Sequence, residues 1–174
     1  VGANVELTVV AAGNEPLAYQ WVKDGVLMDG ATSVSLVLAN LKTTDSGSYT
    51  VVITNSAGRL ESEPIAVNVI QPVAIVSQPA SATTAIGGKA VFEVAVTGSA
   101  PVSYQWKLNG EPLAGQTAAK LVIENLAALD GGIYIVTATN ASNSVDSEAA
   151  ELTIQTPPII TKIAGNQQAA VGET

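Results

Sequence analysis

The 174-residue chain has no cysteine and no histidine, one phenylalanine, one methionine, and only seven lysines and arginines. Each absence closes a route. Without cysteine there is no disulfide framework, no thiolate metal site and no thiol nucleophile. Without histidine, the commonest general base and metal ligand near neutral pH is missing. Fifteen acidic residues against seven basic give a net charge of −8. That sign repels nucleic-acid phosphates and anionic membrane surfaces, and it favours solubility of a long exposed molecule. No apolar run approaches the roughly 20 residues of a membrane span. No signal peptide is visible, although a chain that begins inside a domain could not show one. Aromatics are 4% of a chain that is 47% apolar, so valine, alanine, isoleucine and leucine must build the cores.

What is present is a repeat. The chain matches itself, without gaps, at an offset of 85 residues, and 25 of the first 85 positions are identical to their partner one period later. Tyr19-Gln20-Trp21 returns as Tyr104-Gln105-Trp106. Asp45-Ser46-Gly47-Ser48-Tyr49 returns as Asp130-Gly131-Gly132-Ile133-Tyr134, and Thr54-Asn55 as Thr139-Asn140. Pro157, Ile160 and Ala170 repeat Pro72, Ile75 and Ala85, which marks the start of a third copy. A period of this length means tandem whole domains and not a solenoid.

Within a copy the pattern is that of short strands. Phe92, Val94 and Val96 alternate with Glu93 and Ala95, and Ser103 to Leu108 puts Tyr104 and Trp106 on one face. Asn109-Gly110, and Asp24-Gly25 one period earlier, read as two-residue hairpin turns. Leu121 and Ile123, then Tyr134, Val136 and Ala138, continue the inward set. After the Ala141–Ser144 turn a single last strand is expected to run to Ile154, with Ala150, Leu152 and Ile154 on one parity. The first copy gives the corresponding set Leu7, Val9, Trp21, Leu36, Leu38, Tyr49, Val51, Ile65, Val67 and Val69. No stretch sustains a helical period, so the chain reads as all-β. The joints Ile70-Gln71-Pro72 and Gln155-Thr156-Pro157-Pro158 carry proline without a Gly/Ser run, and stiff connections are expected.

These residues resemble immunoglobulin-like sandwiches of the I-set kind. Trp21 and Trp106 match the core tryptophan of the third strand, twelve residues after Val9 and Val94. Asp45, Gly47 and Tyr49, with Asp130, Gly132 and Tyr134, match the tyrosine corner that leads into the sixth strand. The resemblance implies two antiparallel sheets with Greek-key connections. It also places Val9, Val51, Val94 and Val136 where the family's paired cysteines stand, so the sandwiches are held without a disulfide. Cysteine-free, Ala/Val-rich copies of this kind are similar to the Ig-like repeats of large bacterial surface and secreted proteins. The domains implied are 1–70, an Ig-like domain lacking its first strand; 71–155, a complete one; and 156–174, the first strand of a third.

Catalysis has little to run on, and no catalytic, cofactor or metal residues are assigned. Glu61 and Glu63, with Asp146 and Glu148 one period later, are the nearest thing to a carboxylate pair; their repetition suits an exposed strand. No Asp-x-Asp-x-Asp calcium loop is present. All seven aromatics, Tyr19, Trp21, Tyr49, Phe92, Tyr104, Trp106 and Tyr134, fall at core or corner positions, which leaves none for a stacking platform. Asn140-Ala141-Ser142 matches a glycosylation sequon, but the resemblance gives Asn140 a structural place at the end of the sixth strand. The expected function is a structural or adhesive segment of an extracellular tandem array: a stalk, fibre or filament at the cell surface. The alternative is a binding or spacer module of a large secreted, carbohydrate-active enzyme. The expected partners are neighbouring Ig-like domains of the same array. The simplest reading of the two ragged ends is a slice of a longer continuous array; the alternative is head-to-tail self-assembly in which the Thr156–Ala170 strand of one chain completes the first domain of the next by strand addition.

Overall fold

The computed structural model describes residues 2–162 and Gly165. It contains seventeen strands and two single 3-10 turns, and is all-β as the alternation requires. In the first copy, β1 (Val5–Thr8) pairs with β4 (Ser35–Leu38) as one layer. The facing layer has β3 (Val26–Leu27), β2 (Ala18–Lys23) and β5 (Gly47–Asn55), with β6 (Gly58–Glu61) and β7 (Ile65–Val67) both on β5. The second copy repeats this and adds to it. There β10 (Ala90–Glu93) pairs with β14 (Lys120–Ile123), and β11 (Ala95–Thr97), continuing β10 past Val94, pairs with β8 (Ala74–Ser77). The facing layer runs β13 (Glu111–Pro112), β12 (Ser103–Leu108), β15 (Gly132–Thr139), β17 (Ala150–Gln155), β9 (Ala82–Ala85), with β16 (Ser144–Asp146) also on β15. Strand β9 joins β17 in parallel; all other pairings are antiparallel. Asn109 (φ 52°) and Gly110 (φ 92°) make the tight turn between β12 and β13.

Two expectations need correction. The last strand of a copy is two strands, because Ser147 interrupts it. The Ser147 hydroxyl accepts the amide of Val136 and donates to the carbonyl of Glu148, so a side chain takes one rung of the ladder. Ser62 does the same in the first copy, between Val51 and Glu63. Ile65, expected inward, is 41% exposed, whereas its counterpart Ala150 is fully buried. The cause lies in the neighbouring strand: β17 is flanked by β9, and no described strand flanks β7 on that side.

Each copy has its own core. In the second, Phe92, Val94, Trp106, Leu121, Leu126, Tyr134, Val136 and Leu152 are buried together, and Phe92 stacks on Tyr134 with ring centroids 4.6 Å apart. In the first, Leu7, Trp21, Leu36, Tyr49, Val51 and Val67 are buried. Val9 is only half-buried, unlike Val94, and no described strand pairs with the residues that follow it. The described part of the expected third copy, Thr156 to Lys162, is exposed and has no strand. The remainder of that segment, Gly165 apart, lies outside the described residues.

Candidate functional site

The motif residues assemble into two constellations, each present twice. The first pins the sheets together. Trp106 is fully buried and lies opposite Val136 on β15, and its indole donates to the carbonyl of Ala118 at 2.9 Å. Trp21 lies opposite Val51 and donates to Ser33 at the same distance. A buried indole N–H needs such an acceptor, so the ring is fixed in orientation as well as depth. Gln105 and Gln20 sit beside the tryptophans, and each amide bridges two backbone carbonyls across the adjoining hairpin.

The second constellation is the corner. Tyr134 donates its hydroxyl to the carbonyl of Asp130 at 2.7 Å, and Tyr49 does so to Asp45. The Asp130 carboxylate accepts the amide of Ala127, and that of Asp45 the amide of Lys42. Burial, with the Asp130 charge adding to it, pushes the Tyr134 hydroxyl up to about 12. Tyr49 is also raised, chiefly by burial. The hairpin residue Asn109 accepts the amide of Ile133, and a Cβ on Gly132 would come within 2.6 Å of that Asn109 oxygen. Glycine is what lets the cap close. Asp24 caps Ser48 in the same way, and that hydrogen bond, helped by Lys23, lowers the Asp24 carboxyl below its ordinary value.

The acidic pairs stay apart from any such network. Glu61 takes Thr50 and Arg59, Asp146 takes Thr137 and faces Lys107, and Glu63 and Glu148 are exposed. Among the described residues there is no cluster able to hold a metal ion. Tyr19 and Tyr104 are half-buried against the two cores. Asn140 is 8% exposed, with its amide nitrogen donating to Gln71 and Ser99 and its oxygen accepting from Ser142 and Asn143.

One grouping escaped the sequence reading. The Asn143 side chain clasps Val73 at both ends, accepting its amide at 2.7 Å and donating to its carbonyl at 3.0 Å. With Asn140 on Gln71, it ties the incoming joint to the second copy, and the Ser99 hydroxyl accepts the Gln71 amide. An asparagine between short strands reads as a turn former, and nothing in its sequence neighbourhood points to a partner 70 residues away. Gln78 and Ser81 add two further side-chain acceptors, for the amides of Glu148 and Glu151.

Comparison with known proteins agrees with this architecture. Residues 73–154 match the immunoglobulin I-set domain model, and residues 1–55 match an immunoglobulin domain model. The chain belongs to the immunoglobulin-like proteins, as a tandem of I-set-type domains without a disulfide. It is 29% identical over 173 residues to the cell adhesion molecule DSCAML1 of Homo sapiens, covering 91% of this chain and 8% of that protein. It is 29% identical over 167 residues to endoglucanase C of Cellulomonas fimi, covering 90% of this chain and 15% of that protein. The chain thus spans a small part of the curated relatives it matches. The I67–I69 fragment of titin superposes with a TM-score of 0.69 at 21% identity, over 93% of this chain and 63% of the fragment, a likeness of fold.

Proposed function

We propose that this chain is a segment of a structural and adhesive array of Ig-like domains, a shaft that spans distance outside a cell. The observation that carries this is where the distinctive side chains are spent. The tryptophans, the corner tyrosines and Phe92 are buried, and the two remaining tyrosines pack against the cores. The buried asparagine of the sequon and its neighbour Asn143 secure the joint between copies. Chemistry-bearing residues are thus used for holding shape, and the domain boundaries near residues 70 and 155 are hinge-poor connections. The kinship with a cell adhesion molecule fits this role, an extracellular place and the lack of catalysis. Neighbouring domains of the same array are the natural partners, and head-to-tail contact between chains extends the same logic.

Small-angle scattering on the chain tests the shaft. The longest strands, β5 with nine residues and β15 with eight, give each copy roughly 25–30 Å of length at about 3.3 Å per residue, so the two copies should give an elongated profile. A compact profile with the domains folded on one another would sink the reading. The kinship with endoglucanase C supports a second reading, a spacer module of a secreted enzyme. Retention of the isolated chain on insoluble cellulose would favour it; with no tyrosine or tryptophan among the fully exposed residues, we expect none.

A further inference from the structure

Four places in the chain set an aspartate or asparagine directly before glycine: Asp24-Gly25, Asp29-Gly30, Asn109-Gly110 and Asp130-Gly131. Such pairs can react internally. The glycine nitrogen, unhindered by any Cβ, attacks Cγ of the residue before it. An asparagine loses ammonia in that step and a protonated aspartate loses water, and either leaves a five-membered succinimide. Water then opens the ring at one of its two carbonyls. The product is aspartate, or isoaspartate with the main chain rerouted through Cβ. The ring closes only when Cβ and the glycine nitrogen eclipse about the Cα–C bond and the side chain is free to swing over.

The two hairpin tips meet neither condition. Asn109 has φ 52° and Asp24 has φ 50°, each followed by a glycine of positive φ. A left-handed residue in such a turn sets its Cβ nearly trans to the next nitrogen, the arrangement furthest from ring closure. Both side chains are tethered as well. The Asn109 oxygen accepts the Ile133 amide at 2.9 Å, and the Asp24 carboxylate accepts the Ser48 amide at 2.8 Å, each bond spanning 24 residues. The Ser48 amide, with Lys23, also holds the Asp24 carboxyl below its ordinary value, and an ionised carboxylate has no hydroxyl to release as water. Asp130 has its carboxylate tied to the Ala127 amide at 2.7 Å.

Asp29 has none of these restraints. It is exposed, it is not among the left-handed residues, and its carboxylate takes no hydrogen bond or ion pair among the described residues. It lies in a turn closed by the Ala31 amide on the Met28 carbonyl at 3.2 Å. A Cβ on Gly30 would meet nothing within 4 Å, so the space around the attacking residue is open. One period later the place is taken by Ala114, which has no such chemistry.

We propose that Asp29-Gly30 is the site at which the folded chain forms isoaspartate, and that the corner keeps Asn109, the more reactive of the two in a free peptide, from deamidating. The change at Asp29 is an isomerisation, since the water lost on ring closure is regained on opening. It adds a main-chain carbon between β3 and β4, two residues before the Ala31 carbonyl that accepts the Trp21 amide at 2.9 Å.

The test holds the folded 174-residue chain at physiological temperature and neutral pH for weeks. It is then mapped by proteolysis and mass spectrometry, with isoaspartyl methyltransferase labelling to locate isoaspartate. Labelling is expected at Asp29 ahead of Asp24. Asn109 should deamidate about tenfold more slowly than in a synthetic peptide of residues 105–114, the factor set by first breaking a hydrogen bond of ordinary net strength. Asp29→Asn and Asp24→Asn repeat the comparison with one chemistry. The first should deamidate near the peptide rate and the second as slowly as Asn109. Gly132→Ala, whose methyl would come within 2.6 Å of the Asn109 oxygen, should release Asn109. Should that variant fail to fold, the two asparagine variants, both at exposed positions of the first copy, decide the matter alone. Deamidation of native Asn109 at its peptide rate, labelling of Asp24 ahead of Asp29, or Asp29→Asn reacting no faster than Asp24→Asn would overturn the proposal.

Discussion

At the scale of single residues, depth and orientation of the aromatic pins decide stability. Trp106 is fully buried, faces Val136 and Phe92, and has its N–H satisfied by Ala118. Trp106→Ala should therefore cost about 3–5 kcal/mol, the range for a large core aromatic truncated to alanine. A denaturant melt that moved by less than about 1 kcal/mol would mean the cavity is refilled and the ring is no pin. The corner tyrosines add a pH dependence with a definite sign. The folded chain holds the Tyr134 proton up to about 12, while the unfolded chain releases it near 10. The contribution is fully present below pH 10 and is lost as pH climbs from 10 towards 12. Chemical denaturation midpoints measured across that window should fall, and Tyr134→Phe should flatten the fall for the second copy.

At the scale of elements, a strand is held by what lies beside it, often far off in sequence. Phe92, Val94, Tyr134 and Val136 are buried, whereas Ile65, on the same inward parity of its strand, is 41% exposed. Parity says which side of a strand a residue faces; it does not say whether a neighbour such as β9 will cover that side. The break at Ser147 was hidden for a related reason, since a serine taking a ladder rung looks like any polar strand residue. The Asn143 clasp was equally silent, because its partner Val73 lies 70 residues away. Its weight can be measured. Asn143→Ala leaves both polar groups of Val73 without their partner in a half-buried site, at a cost of about 1–3 kcal/mol. Amide hydrogen exchange should quicken along β8 (Ala74–Ser77) and stay unchanged along β17 (Ala150–Gln155), which leans on β9 and β15 instead. Unaltered protection of β8 would show that the Ala95–Thr97 ladder alone holds the strand.

At the scale of the whole chain, two copies of one plan differ in the strands described for each. The second copy's core residues Phe92 and Leu121 are sealed, while their counterparts Leu7 and Leu36 each keep 9% of their surface in water. The second copy also has β8 and β9 closing both sheets, and the first has no described strand in either place. Apolar burial scales with area removed from water, and an open sheet edge leaves ladder groups to solvent, so both effects weaken the first copy. In this 174-residue chain the first copy should therefore unfold at lower denaturant than the second. The two tryptophans allow each to be followed alone: Trp21→Phe leaves fluorescence only from the second copy, and Trp106→Phe only from the first. We expect the Trp106→Phe curve to have the lower midpoint. Coincident midpoints would mean that stability is shared across the Ile70-Gln71-Pro72 joint, and that the two sandwiches melt as one unit despite their separate cores.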